Sequence, residues 1–292
     1  MARRSAALAA ACSALFALPQ PANAAPTPVA AWYMYGTTPS GLQSSAYGHG
    51  CSFAQHHPGG SRVLLLDFGA ARKLDASTWG ALDFSGVRFA NADILAALKA
   101  AADGHHNCYA RGDTVVTYGN TNYHLSSSGM TLSDAYNVGY YQSSKGYNRQ
   151  GADAASDMEL SWDGPLITKQ LVNGDTAHGW AVYYDYGDAA GCPWSGSGGS
   201  CNNGWSVGDV GYVSYHGLAV PLPEIYYTVN ADQWTVVRRW WNANNPSTAY
   251  QFWGTTGEIS SASGHLTPAG GWNALSSRNP GMVANEAVCF GC

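Results

Sequence analysis

The chain has 292 residues, 46% of them apolar and only 11% charged, with 14 Lys+Arg against 19 Asp+Glu and a net charge of −5. Average globular domains are about 25% charged, so this is a sparsely charged, Gly-rich globular sequence and not a disordered one. With four lysines and no basic run, it lacks the electrostatic footprint of a nucleic-acid partner or an anionic membrane surface.

The N-terminus reads as an export signal. Arg3 and Arg4 form a basic start, Ala6 to Leu18 an apolar run, and Ala22-Asn23-Ala24 a small-x-small cleavage site. This predicts a signal peptide over 1–24 and one secreted domain over 25–292. The run is too short to span a bilayer, and no later stretch reaches about 18 uninterrupted apolar residues. Cys12 lies inside the run, away from a lipoprotein position. The other six cysteines, an even number in an exported chain, point to disulfides. Spacing suggests Cys192 with Cys201 around the Gly/Ser-rich segment Pro193 to Ser200, and Cys289 with Cys292, leaving Cys51 for Cys108. A two-residue spacing such as Cys289 to Cys292 also occurs at redox and zinc sites, but no second such pair accompanies it, and a structural bridge is expected.

In chain order, Ala31 to Tyr35 offers a first strand. Val63 to Gly69 is a short apolar run closed by Asp67 and suits a strand buried on both faces. Asn91 to Ala102 has helical spacing, and Asn91 is a candidate cap. Thr114 to Tyr118 is a β-branched strand opened by Gly112-Asp113. A helix follows from a Ser133 cap to about Gln142, then a weakly patterned strand over Gly151 to Leu160. Pro165 to Val172 reads as a helix with Pro in its first turn. Trp180 to Tyr186 and Ala219 to Tyr227 read as strands, the second carrying two prolines. Ala231 to Trp241 is helical, Tyr250 to Trp253 strand-like, and Pro268 to Ser276 helical.

Strand-then-helix units recurring every 35 to 50 residues or so imply parallel strands joined by helical crossovers. The predicted mature length is close to the roughly 250 residues of a (β/α)8 barrel, and a single-domain α/β fold of that TIM type is the expectation. An open doubly wound sheet is the alternative, but no Gly-x-Gly-x-x-Gly fingerprint or phosphate loop is present.

In parallel barrels the chemistry sits at the C-terminal strand ends. Asp67, Asp157, Glu159, Asp185 and Glu224 all fall there, with Tyr118 and Asn120 closing another strand. Asp157 and Glu159, two apart on a strand, share a face, so one can raise the pKa of the other. Such a carboxyl, facing a second carboxylate across the mouth, is the acid of most glycoside hydrolases. Glu159 is the candidate acid, Glu224 the nucleophile or base, Asp157 a tuning group and Asp67 a positioning group. The competing roles for Asp157 and Glu159 are helix capping and pairing with Arg149. Trp and Tyr suit sugar faces. Trp162, Tyr184, Tyr226 and Trp253 fall within or after strand ends, and Trp194 and Trp205 flank the predicted disulfide loop as candidate surface platforms.

His56-His57 and His105-His106, placed in loops, lack a zinc-binding helix motif, and no metal or other cofactor is expected. No Gly-x-Ser-x-Gly elbow occurs, and Ser195 and Ser197 sit in a Gly/Ser loop, unsuited to a nucleophile. The segments Leu65-Leu66-Asp67-Phe68-Gly69, Ser156-Asp157-Met158-Glu159, Tyr183-Tyr184-Asp185-Tyr186-Gly187 and Leu222-Pro223-Glu224-Ile225-Tyr226-Tyr227 resemble secreted actinobacterial proteins with a glycoside-hydrolase-type barrel. An Asp at an early strand end followed by a later Asp-x-Glu is similar to the lysozyme-like family 25 glycoside hydrolases. That resemblance implies cleavage of bacterial cell-wall glycan, with Glu159 as acid and Asp157 and Asp67 in the site. The expected function is therefore a monomeric secreted glycoside hydrolase acting on a polysaccharide or peptidoglycan. The alternatives are a non-catalytic carbohydrate- or wall-binding protein on the same scaffold, and an exported hydrolase of an ester or peptide bond.

Overall fold

The computed structural model describes residues 24–57, 62–108, 114–146, 153–178, 182–259 and 264–292. The predicted basic start and apolar run of the signal peptide, Gly112-Asp113, Arg149 and the first residues of the strands expected from Gly151 and from Trp180 lie outside these.

Eight parallel strands alternate with helices. They are β1 (Val29–Tyr33), β2 (Arg62–Lys73), β5 (Thr114–Thr121), β6 (Asp153–Asp157), β7 (Tyr183–Asp185), β8 (Ala219–Pro221), β9 (Thr255–Glu258) and β10 (Ala287–Phe290). A hairpin of β3 (Trp79–Leu82) and β4 (Arg88–Ala90) adds antiparallel to the end of β2. The helices are α1 (Pro39–His56), α2 (Asn91–Cys108), α3 (Leu132–Gly146), α4 (Pro165–His178), α5 (Val207–Tyr215), α6 (Thr228–Asn244) and α7 (Pro268–Arg278).

The sheet runs β8-β7-β6-β5-β2-β1-β10-β9 and curls on itself. It is not the regular closed (β/α)8 barrel the sequence suggested, because no ladder joins β8 to β9. One bridge, Glu224 to Thr256, ties the ends, with Thr256 N–H donating to Pro223 O at 2.9 Å and Ile225 N–H to Thr256 O at 3.1 Å. The cause is local: Pro221 and Pro223 have no N–H to give a ladder, so β8 stops after three residues.

Helix ends follow their caps. Thr38 Oγ1 accepts from Gly41 N–H at 3.1 Å with Pro39 opening α1, and Ser206 and Asp209 form a reciprocal capping box on α5. α3 is capped by Thr131, whose Oγ1 accepts from Asp134 N–H at 3.1 Å, and not by Ser133, which lies inside the helix. The histidine pairs end helices instead of occupying loops, His56 and His57 at the end of α1 and His105 and His106 in the last turn of α2. Disulfides join Cys51 to Cys108, Cys192 to Cys201 and Cys289 to Cys292, the pairs that spacing suggested. Among the described residues no helix is long and apolar enough to cross a membrane.

Candidate active site

Register alone assembles the site. Residues opposite one another on parallel strands share a face, and residues two apart on one strand do too. Tyr33 pairs with Asp67, Asp67 with Gly119, Gly119 with Ala155 and Ala155 with Tyr184. Asp157 and Tyr186 lie two residues beyond Ala155 and Tyr184. From the other edge, Glu224 bridges Thr256, Thr256 pairs with Val288 and Glu258 with Phe290. Tyr33, Asp67, Asp157, Tyr186, Glu224, Glu258 and Phe290 therefore converge on the inner face at the C-terminal ends. The loops after β6 and β7 add Glu159 and Asp188.

Asp67 is fixed by a break in β2. The register shifts between Asp67 and Ala70, and Gly69 turns there at φ +87°, where a Cβ would lie 2.3 Å from Leu82 O. Gly69 N–H donates to Asp67 Oδ1 at 2.8 Å, while Oδ2 is buried and unpartnered. Burial pushes the Asp67 carboxyl up to about 6, with Gly69 N–H and the nearby Tyr186 hydroxyl pulling it down. The Tyr186 hydroxyl donates to Asn120 O at 3.2 Å.

Asp157 is held well above the ordinary carboxylate range, first by burial and then by the charges of Glu224, Glu159, Asp67 and Asp188, and its Oδ1 is unpartnered. Glu159 is half-buried and pushed up to about 7, mainly by burial and next by Asp188, while a hydrogen bond with Glu224 lowers it. Glu224 is also raised by burial and by Glu159, and it accepts a short hydrogen bond from the Tyr226 hydroxyl. Asn122 positions the Glu159 backbone, accepting from Glu159 N–H at 3.0 Å and donating to Glu159 O at 3.2 Å. Tyr33 donates to Glu258 Oε1 at 2.5 Å. These neighbours tie the carboxyls into one proton-sharing network.

Aromatic rings flank it on two sides. Tyr33 stacks on Phe290 at 4.5 Å and Phe290 on Tyr186 at 5.6 Å, while Phe84, on the β3–β4 turn, packs edge-on against Tyr33 at 4.8 Å. Tyr226 stacks on His265 at 4.9 Å. Beyond β5 and β6, half-buried Trp162 meets exposed Tyr123 edge-on at 5.5 Å.

Of the residues singled out from sequence, Asp67, Asp157, Glu159, Glu224 and Tyr226 come together at this mouth, with Trp162 on its rim. The others do not. Tyr118 and Asn120 lie on the opposite, helix-facing side, Tyr118 donating to Asn91 Oδ1 of α2 at 3.2 Å and Asn120 to Gln142 Oε1 of α3 at 3.0 Å. Asp185 pairs in register with Ser156, on the same helix-facing side. Burial raises its carboxyl to about 8. Tyr184 shares the inner face but bonds to Asp153 Oδ2 at 3.0 Å, at the start of β6, and packs on Trp253, which precedes β9. Both therefore fill the opposite end of the sheet. Trp205 is core, its indole N–H bonded to Asp163 O at 2.8 Å, whereas Trp194 is 67% exposed on the disulfide loop.

Sequence reading missed Tyr33, Asp188, Glu258, Phe290 and Phe84 as mouth residues, and had Tyr186 only as one of the aromatics near strand ends. Asp188 sat one residue beyond the quoted Tyr183 to Gly187 segment, and Glu258 closes a strand that begins at Thr255, later than the Tyr250 to Trp253 run suggested. Among the described residues, no group of three or more His, Cys, Asp and Glu side chains has an arrangement suited to holding a metal ion. No family model matches the chain, and no curated protein shows significant sequence similarity to it.

Proposed function

We propose that this protein is a secreted glycoside hydrolase acting on a polysaccharide or cell-wall glycan by carboxylate acid/base chemistry. The observation that carries this reading is the convergence of Asp157, Glu159 and Glu224 at the C-terminal strand ends, with the Glu159 carboxyl raised to about 7. A general acid works best when its pKa lies near the operating pH, since it then holds its proton and still releases it readily. Glu159 is the least buried of the three, which suits a group that meets substrate. In this reading it protonates the glycosidic oxygen as the C–O bond breaks, and its electrostatic neighbours raise its proton affinity.

Glu224 takes the nucleophile or base role, with the Tyr226 hydroxyl bonded to it. Asp157 and Asp67 lie deeper and favour positive charge developing on the sugar ring. Where the substrate carries an N-acetyl group, that group's oxygen can act as nucleophile, and Glu224 then becomes dispensable. Secretion fits the three disulfides and the N-terminal leader pattern. A second reading is glycan binding without turnover, favoured by the direct coupling of the Glu159 and Glu224 carboxyls to each other.

The test follows new reducing ends released from peptidoglycan and a panel of polysaccharides by the purified protein. Release by the wild type that is lost in a folded Glu159→Gln variant supports hydrolysis, whereas tight binding with no release supports the second reading.

A further inference from the structure

Two features of the mouth point to the charge of its ligand. The first is carboxylate oxygen left without a partner at the floor. Asp157 Oδ1 is buried, on a residue only 7% exposed, and makes no hydrogen bond, while beside it the fully buried Asp67 carboxyl has only Gly69 N–H and the Tyr186 hydroxyl near it. Leaving such an oxygen unpaired is costly unless a donor arrives with the ligand.

The second is the wall beside them. The stacked rings of Tyr33, Phe290 and Tyr186 are coupled to both carboxyls, since Asp157 and Asp67 act on the hydroxyls of Tyr33 and Tyr186. Carboxylates next to aromatic faces make up the surroundings that favour an ammonium, through charge and through the ring quadrupole.

Among the described residues, the groups that act on the Asp67, Asp157, Glu159 and Glu224 carboxyls are other acids, tyrosine hydroxyls and a backbone N–H, with no lysine, arginine or histidine. Lys73, Lys169 and Arg278 are paired with Asp134, Asp209 and Asp232, none of them a mouth residue. Arg72, toward the C-terminal end of β2, donates to His124 O at 2.6 Å, and the acid acting on it is Asp163.

We propose that the glycan taken by this site carries a free ammonium, as a de-N-acetylated amino sugar does, held against Asp157 with Asp67 behind it and Tyr33 alongside, so that Glu159 keeps its proton. The inference rests on the glycan reading above and narrows its substrate class. An acetamido group is neutral and leaves the floor oxygens without a charged donor, and a uronate or other acidic sugar meets repulsion from each mouth carboxyl that has released its proton. Binding of the cation lowers the proton affinity of Asp157, so a proton is released into solution as the complex forms.

Calorimetric titration of the full chain tests this at neutral pH in two buffers of different ionisation enthalpy. The probes are a β-1,4-linked glucosamine hexamer, its fully N-acetylated counterpart and an oligogalacturonide. The glucosamine hexamer is expected to bind at least tenfold more tightly than the acetylated one, with net proton release, and the oligogalacturonide not at all. Asp157→Asn should bring the two hexamers to within about threefold, with Asp67→Asn as the second variant should the first not fold. Equal or tighter binding of the acetylated hexamer, no binding of the glucosamine hexamer, or a preference that survives both substitutions overturns the inference. Cleavage of acetylated glycans with no preference for the amine overturns it while leaving the hydrolase reading intact. Amine-selective binding without cleavage does the reverse.

Discussion

Asp67→Asn should stabilise the protein at neutral pH while removing its activity. The Asp67 carboxyl is fully buried and raised from 3.8 to about 6, so the folded state holds its proton where the unfolded chain has released it. The sign follows from linkage: between about pH 4 and 6 the native state binds more protons, and stability falls as pH rises. Below that window the cost is absent, and above it the cost is constant. A shift of two units or so corresponds to about 3 kcal/mol. Asparagine is isosteric with the protonated acid and keeps the acceptor for Gly69 N–H. Relative to wild type, the variant should be unchanged near pH 4 and about 3 kcal/mol more stable near pH 7.5, a rise in Tm of roughly 6–12 °C. Paired urea melts at the two pH values measure this. An equal change at both, or a loss of stability at neutral pH, would refute the idea that burial of this carboxylate is maintained for function.

The same reasoning applies away from the mouth to Asp175 in α4, whose carboxyl is raised to about 8 by burial, against a hydrogen bond with Ser143 that lowers it. Asp175→Asn should gain on the order of 5 kcal/mol at pH 8 and little at pH 4, with turnover unchanged, as read from melts and rates together. At the α1–α2 contact a Cβ on Gly50 would lie 1.9 Å from Ala101 O, so Gly50→Ala should cost about 1–3 kcal/mol or more in denaturant titrations. The Cys51–Cys108 disulfide joins these helices across 57 residues of chain. Replacing both cysteines by Ser should cost about 2–4 kcal/mol, and the loss should disappear when wild type is melted in reductant.

The parallel β/α framework was legible in the sequence because buried parallel strands leave compact apolar runs such as Val63 to Leu66. α1 was not, because its small and polar residues, with Gly48 and Gly50 among them, give little periodicity; its packing is by close backbone approach, which no hydropathy pattern records. The open seam was not read from the sequence, which suggested one strand over Ala219 to Tyr227; Pro221 and Pro223 end β8 after three residues, and Glu224 beyond them is tied by a single bridge. At the site, Asp157 and Glu159 were legible as companions, but not for the reason of a shared strand face, because β6 ends at Asp157 and Glu159 comes from the loop beyond it. Tyr118, Asn120 and Asp185 were misplaced because alternation says that neighbours point oppositely but not which side is inner, and the pairing of Ser156 with Asp185 settles it. Trp205 illustrates the same limit for aromatics: next to a Gly-rich loop it resembled a platform, but its N–H is satisfied by Asp163 O in the core.

The central claim is that Glu159 is the proton donor of a glycosidase. The most direct measurement is the pH dependence of kcat/KM for wild type and Glu159→Gln on a glycan that the wild type cleaves. The account predicts a wild-type profile falling above about pH 7, the range of the raised Glu159 carboxyl, and a variant slower by at least 100-fold or so with its fold intact. A folded wild type that cleaves no glycan, or a variant that keeps both the rate and the alkaline limb, would contradict it.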